Sequence, residues 1–401
     1  MVKVAVMALA LALTPTYGPV SVEAQDPGYQ YRSMPALQYV SYTEAGQTKQ
    51  RFVRSFQISK DDGSLVTRVQ YHVGGQASMT DTNNWKPALD ATTGRELLYT
   101  TPYAKMNNTY RTATGATATI DEQVQDGHLM RRVSTDGGVS WRSYTAALDM
   151  SGGAYLGGGR AFQRVIRLPD QSLVMPFYAA HATGRYASHL LVSTNDGASW
   201  KRAATVFKSD TNTYSESSVA RRADGHLVMI SRYDVVLNGK RIAHLGSRTT
   251  NGPVNDAASL ATAAWGPLKA VVVPGAADET VVQGVAPVLH TMDQGVLMLV
   301  FGRPRNKITF SHDGGATWSA AHSFYDNIPT AGCTDGQPAG DGTFMPCSSL
   351  GSSGYTGVAV TSPRTAYIMG DNCHTNWGCA GDYSYPHGRD DKLWYSTVVL
   401  S

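Results

Sequence analysis

The chain has 401 residues, of which 34 are Lys or Arg and 31 are Asp or Glu, giving a formal net charge of +3. Basic residues stand singly among Ser, Thr, Gly and Tyr, without the one-sided Lys and Arg density of a nucleic-acid surface, and that class is excluded. Forty Gly, 18 Pro, 21 Tyr and 42% hydrophobic residues describe a turn-rich globular chain well outside the disordered range.

In chain order the first feature is an export leader. Met1-Val2-Lys3 is a short basic start, Val4 to Leu13 is an apolar run, and Val22-Glu23-Ala24 offers small residues at a cleavage site. Residues 1–24 therefore read as a signal peptide and 25–401 as one secreted, monomeric domain. The apolar run is shorter than the roughly 20 residues a bilayer span needs, and no later run reaches that length, so no membrane partner is expected. Beyond the leader, Tyr39 to Glu44 is expected to supply a strand that closes the fold against its last sheet.

A short box recurs along the chain: STDGGVSW from Ser134 to Trp141, STNDGASW from Ser193 to Trp200, and SHDGGATW from Ser311 to Trp318. In each, Ser is followed by Asp or Asn at two, Gly at four, Ser or Thr at six and Trp at seven. The short carboxylate or amide ties down turn amides, Gly supplies a positive φ, and Trp packs between sheets, so the box is a structural turn joining the outer two strands of a small sheet. The first two copies are 59 residues apart and the next is twice that distance on. A degenerate copy fills the gap at Ser247 to Trp265, and another precedes the series at Ser78 to Trp85.

A second recurrence consists of an alternating strand, a turn bearing Asp, and another strand. It reads FQISKDDGSLVTRVQYH from Phe56, FQRVIRLPDQSLVMPFY from Phe162, SSVARRADGHLVMISR from Ser217 and VAPVLHTMDQGVLMLVFGR from Val285. Two strands here and two around the box make four per unit, and six units fit. The expected fold is all-β, a six-bladed β-propeller of four-stranded antiparallel blades, with a loop insertion at about 325–351. GGAYLGGGR, from Gly152 to Arg160, lacks the Lys-Ser/Thr and the helix of a phosphate loop and reads as a plain loop.

Cys333, Cys347, Cys373 and Cys379 make an even count in an exported chain and suit two disulfides, with three pairings open. Their spacing lacks the close pairs of a zinc site, no ligand cluster for another metal stands out, and no cofactor is expected. Asn107-Asn108-Thr109 is a glycosylation sequon.

The boxes resemble the Asp boxes of the sialidase superfamily, whose members are six-bladed propellers. The resemblance implies an exo-acting enzyme cleaving a terminal acidic sugar from a glycan, with three Arg on the substrate carboxylate, a Tyr nucleophile activated by Glu, and an Asp acid/base, all opposite the boxes. By similarity of local pattern, Glu216 and Arg232 fall in the fourth unit, Arg305 with Arg303 as its rival in the fifth, and Tyr355 in Ser353-Gly-Tyr-Thr356 of the sixth. Arg51 or Arg54 opens the first inner strand, and Arg164 aligns with Arg54. A guanidinium fork suits a carboxylate, and a phenol attacking an anionic sugar avoids the repulsion that a carboxylate nucleophile would meet.

The Phe/Tyr-Arg-Ile-Pro motif of sialidases has no match in QRFVRSFQIS, and Tyr31-Arg32-Ser33-Met34-Pro35 stands earlier than expected. The first-unit loop offers only Asp81 as an acid. His72, at the end of the second strand of that unit, suits proton abstraction beside a carboxylate, which is β-elimination from a uronate as in propeller polysaccharide lyases. A non-catalytic glycan-binding propeller is the third reading, since boxes mark the fold and not the chemistry.

Overall fold

The computed structural model describes residues 13–23, 31–59, 65–72, 79–81, 88–89, 96–97, 106–124, 127–152, 155–181, 185–237, 240–274, 284–302, 305–324, 352–371 and 393–401. The four cysteines, Arg303, the 325–351 insertion and most of the Ser78 to Trp85 box lie outside them.

The described chain is almost entirely antiparallel strand. Strands β1 (Pro15–Tyr17) and β2 (Ser21–Val22) come first. The first sheet then runs in order through β3 (Tyr31–Glu44), β4 (Gln47–Ser59), β5 (Leu65–His72) and β6 (Met79–Asp81). A small hairpin, β7 (Ala88–Leu89) with β8 (Glu96–Leu97), follows. The second sheet is β9 (Asn108–Arg111), β10 (Thr117–Ile120), β11 (His128–Ser134) and β12 (Arg142–Asp149). In the third, β13 (Arg160–Ala161) and β14 (Ile166–Arg167) share the edge of β15 (Leu173–Ala180), followed by β16 (Tyr186–Ser193) and β17 (Ser199–Phe207).

The fourth sheet is β18 (Thr213–Arg221), β19 (Leu227–Leu237), β20 (Lys240–Thr249) and β21 (Lys269–Ala270), with the short helix α1 (Ala257–Ala261) before its last strand. The fifth is β22 (Val285–Thr291), β23 (Leu297–Gly302), β24 (Asn306–Ser311) and β25 (His322–Ser323), and the last is β26 (Gly357–Ser362), β27 (Thr365–Asp371) and β28 (Leu393–Leu400). The second and third sheets fuse into one nine-stranded sheet because β12 and β17, each the outer strand of its own unit, pair in parallel.

Two expectations about the first unit are corrected. Tyr39 to Glu44 does not close the last sheet; it is the second half of β3, the inner strand of the first sheet, whose Ala36 to Tyr39 segment lines a central cavity. The last sheet is completed by β1, with Pro15, Thr16 and Tyr17 opposite Leu400, Val399 and Val398. Consequently FQISKDDGSLVTRVQYH is the β4–β5 hairpin, the second and third strands of its sheet. Successive hairpins of an antiparallel sheet carry the same alternation and turn residues, so the pattern alone does not say which pair it marks.

The boxes do what their residues suggest. Asp136 Oδ1 accepts from the Ser134 hydroxyl (2.7 Å) and from the Ser140 amide (2.9 Å), while Ser134 Oγ accepts from the Gly138 amide (2.8 Å). Gly137 and Gly138 stand at φ 69° and 88°, where a side chain would be strained, and a Cβ on Gly137 would strike the Tyr42 ring. Trp141, Trp200 and Trp318 are buried between their own sheet and the preceding one: Trp141 among Val40, Val53 and Val69, Trp200 with Ala118 and Ile120, Trp318 with Val228 and Ile230.

Because every box joins the third and fourth strands, all three lie at one end of the fold. The N-terminal ends of the inner strands lie at the other. There the backbone departs from regular pairing, with bulges between Tyr214 and Ser217 in β18, Val285 and Val288 in β22, and Ser33 and Ala36 in β3. A bulge re-aims the side chains it carries. Glu216 sits in one.

Candidate active site

Glu216 is buried and held from three directions. The Tyr355 hydroxyl donates to its Oε1 at 2.7 Å, the Ala286 amide to its Oε2 at 2.9 Å, and Arg232 Nη1 to Oε2 at 3.5 Å. The bulge in β18 turns Glu216 inward, and the positive φ of Ala286 (50°) in the neighbouring bulge aims its amide at the carboxylate. Arg232 and Asp234 are two apart on β19 and so share a face. Asp234 accepts from Arg232 Nε at 2.9 Å and from Nη2 at 3.3 Å, a bidentate pair buried beside Glu216.

Tyr355 is fixed just as closely. Its carbonyl accepts from Asn306 Nδ2 at 3.2 Å, its amide donates to Ser353 Oγ at 3.3 Å, and its ring meets Phe162 at 5.8 Å, edge to face. Ser353 in turn is anchored to Asp371 through its amide, 2.6 Å. Gly302, the last residue of β23, comes so close that a Cβ on it would fall on the backbone of Gly354. Arg305, half-buried at φ 62° just before β24, therefore stands at the same end as Tyr355.

Burial, and then the charges of Glu216 and Glu122, push the Tyr355 hydroxyl well above the usual phenol range. Tyr178 is raised in the same way, by burial first, against an opposing pull from Arg160. Glu122, fully buried beyond the end of β10, thus belongs to the same electrostatic cluster. Asp234, Glu122, Tyr178, Arg160 and Asn306 escaped the sequence reading. Asp234 had a legible signal, since alternation places it on the face of Arg232.

The other predicted site residues are placed elsewhere. Arg51 is on β4, where it donates to the Tyr42 hydroxyl and lies over the Tyr42 and Tyr71 rings, toward the box end. Arg54 is buried at the seam between the first and last sheets, bonded to Gln70, Glu23 and Tyr395. Neither opens an inner strand. That position is taken by Arg32, paired with Ile58 at the start of β3, so Tyr31-Arg-Ser-Met-Pro35 stands where the sequence reading had looked for QRFVRSFQIS.

His72 ends β5, a third strand, and pairs with Met79 on the box side of the sheet, away from Glu216. The base invoked for elimination is thus at the wrong end. Arg164 is on the inner wall of the third sheet, two residues beyond Phe162, and donates to the Leu289 carbonyl at 3.3 Å. Asn107 of the sequon is buried, which leaves no room for a glycan. The side chain of Asp81 lies outside the described residues.

Residues 72–255 match the BNR repeat-like domain family. The match spans less than half of the chain and covers the second and third sheets and most of the fourth. Among proteins with curated functions, none matches this chain in sequence. Solved structures resemble it in fold at low identity. A protein of unknown function from Dyadobacter fermentans is 13% identical with a TM-score of 0.62, the alignment covering 96% of this chain and 99% of that one. A GH93 α-L-arabinofuranosidase from Fusarium graminearum, solved with arabinobiose, is 12% identical (TM-score 0.55, 97% and 98% covered). A Trypanosoma rangeli sialidase, solved as a covalent intermediate with difluorosialic acid, is 12% identical (TM-score 0.52, 95% and 59% covered). These neighbours include β-propeller glycosidases, and this chain shares their all-β, antiparallel architecture.

Proposed function

We propose that the protein is a secreted, six-bladed propeller glycosidase that removes a terminal acidic sugar with retention, using Tyr355 as nucleophile and Glu216 as its base. The carrying observation is the 2.7 Å hydrogen bond from the Tyr355 hydroxyl to Glu216 Oε1. As the phenol oxygen bonds to the anomeric carbon, its proton passes to Glu216 and the glycosidic C–O bond breaks. The leaving oxygen takes a proton from a donor on the opposite face of the sugar. Water then attacks the anomeric carbon while giving a proton to that same donor, now deprotonated, and the departing phenolate recovers its proton from Glu216.

Because its resting pKa is raised, Tyr355 stays neutral until attack, which suits an approach to an anionic sugar. Arg160 and Arg305, at the same end of the inner strands, are the cations proposed to receive the carboxylate.

One observation favours a second reading. The Arg232 fork, expected to grip substrate, is already filled by Asp234. On this reading Glu216 and Glu122 act as a carboxylate pair on a neutral sugar, and Tyr355 only orients Glu216. Incubation with a fluorinated sialoside and a fluorinated arabinoside, followed by peptide mass analysis, separates the two. An adduct on Tyr355 supports the first, an adduct on a glutamate replaces it with the second, and no adduct or turnover across a glycan panel leaves a binding propeller.

A further inference from the structure

Behind Phe162 and Tyr355 the inner strands of five sheets border a partly open cavity of about 170 Å³. A water occupies about 30 Å³ in the liquid, so the space holds several. Arg164, Gln163, Asn107 and His290 border it beside neutral polar groups, and none of the described residues lining it is acidic.

Gln163 and Asn107 are 4% and 5% exposed, and the side-chain amide nitrogen of each is buried with no hydrogen-bond partner. Among the described residues the guanidinium of Arg164 makes one bond, to the Leu289 carbonyl, and has no carboxylate counterpart. Arg164 keeps some accessible surface despite its depth, as expected of a head that borders the cavity. Burial brings its pKa down to about 10, and burial together with the Arg164 charge keeps His290 neutral well below its ordinary value. A half-buried cation without a carboxylate and two buried amide donors without acceptors are each costly unless something in the cavity answers them.

The backbone is also held against its preference here. Gln163 and Arg164 have consecutive positive φ of 38° and 85°, and the Arg164 amide is tied to Asn108 Oδ1 at 3.1 Å. This conformation turns both side chains out of regular strand alternation at one place in the ring.

We propose that the cavity is a binding site for a small monoanion, a halide or a formate-sized carboxylate, held by the Arg164 guanidinium and the side-chain amides of Gln163 and Asn107. It is separate from the Glu216 and Tyr355 pair and does not depend on the activity assigned to them. The anion supplies the acceptors that these donors lack and neutralises Arg164, the cation of the described wall.

The test uses the full chain at constant ionic strength, replacing sodium gluconate, too large for the cavity, by sodium chloride, bromide or formate. The expected result is a saturable rise in Tm, about 3 °C at a hundred times Kd, that Arg164→Met abolishes. Crystals soaked in bromide should show an anomalous peak within hydrogen-bond range of Arg164. If Arg164→Met does not fold, Gln163→Leu should weaken the anion dependence at least tenfold, and the wild-type measurements stand without either variant. No saturable shift together with a bromide-free cavity would overturn the proposal, as would an equal shift in wild type and in a folded Arg164→Met.

Discussion

Asp234 holds Arg232 by both Nε and Nη2, and Arg232 in turn touches Glu216, so the carboxylate that faces Tyr355 is braced by a buried ion pair from its own sheet. Removing one member of such a pair leaves a buried charge without its partner. Asp234→Ala is expected to cost about 3 to 5 kcal/mol in chemical denaturation, and Arg232→Met added to it should restore part of the loss. If the double variant is less stable than Asp234→Ala alone, the brace is not what couples these residues.

The Tyr355 and Glu216 pair predicts a kinetic pattern. Glu216→Gln should lower kcat by about 10² to 10⁴-fold on a substrate with a poor leaving group, with Tyr355→Phe losing at least as much. Since burial and Glu216 raise the phenol pKa, kcat/KM of the wild type should show no tyrosine ionisation below about pH 10. A Tyr355→Phe variant that kept most of its rate would move the nucleophile to a carboxylate.

What the sequence disclosed depended on whether a pattern was unique to its place. The box at Ser134 to Trp141 has one structural meaning, and its turn, its glycines and its buried Trp were all legible. The FQISKDDGSLVTRVQYH hairpin did not, because first-to-second and second-to-third hairpins look alike, and the slip by one strand carried Arg51, Arg54 and His72 to the wrong level of the first sheet. Glu216 and Tyr355 were found because each opens an inner strand beside a recognisable neighbour. Glu122 was not, since a carboxylate at the end of a second strand looks like an exposed turn residue until the fold buries it. The bulges that aim Glu216 and Ala286 leave no trace in alternation, being single extra residues in short strands.

The N-terminal segment makes a prediction about processing. Within the stretch read as a leader, Thr14 and Ser401 exchange backbone hydrogen bonds, Leu13 is buried in the core, and the Tyr17 ring stacks on His322 at 3.8 Å. Glu23 reaches Arg54. Cleavage after Ala24 would discard all of these, so an exported form is expected to begin at or before Leu13, near the small residues Ala10-Leu11-Ala12. Summing the buried side chains and strand bonds, a chain begun at Gln25 should be less stable than one begun at Leu13 by on the order of 5 kcal/mol. N-terminal sequencing of exported protein and paired melting curves check both parts, and equal stability would remove the segment from the fold.

The boxes predict how the protein fails in acid. Asp136 and Asp313 are partly desolvated, which alone would raise their pKa, but bonds from Ser140 and Thr317 outweigh this and hold both carboxyls below the usual range. A group whose folded pKa is depressed stabilises the protein above its unfolded pKa, about 3.9 for Asp, and loses that contribution as pH falls through the folded value. The middle box has solved the same geometry without a titrating group. Asn195 accepts from the Ser199 amide at 2.9 Å through Oδ1 and donates to the Ser199 hydroxyl at 2.8 Å through Nδ2. Asp136→Asn and Asp313→Asn should therefore keep the turns and flatten the decline of Tm between about pH 4 and 2, with little change at pH 7. Asp136→Ala, which removes the acceptor as well as the charge, should instead destabilise at both pH values. If the Asn variants lose Tm in acid as steeply as the wild type, the acid sensitivity arises elsewhere in the fold.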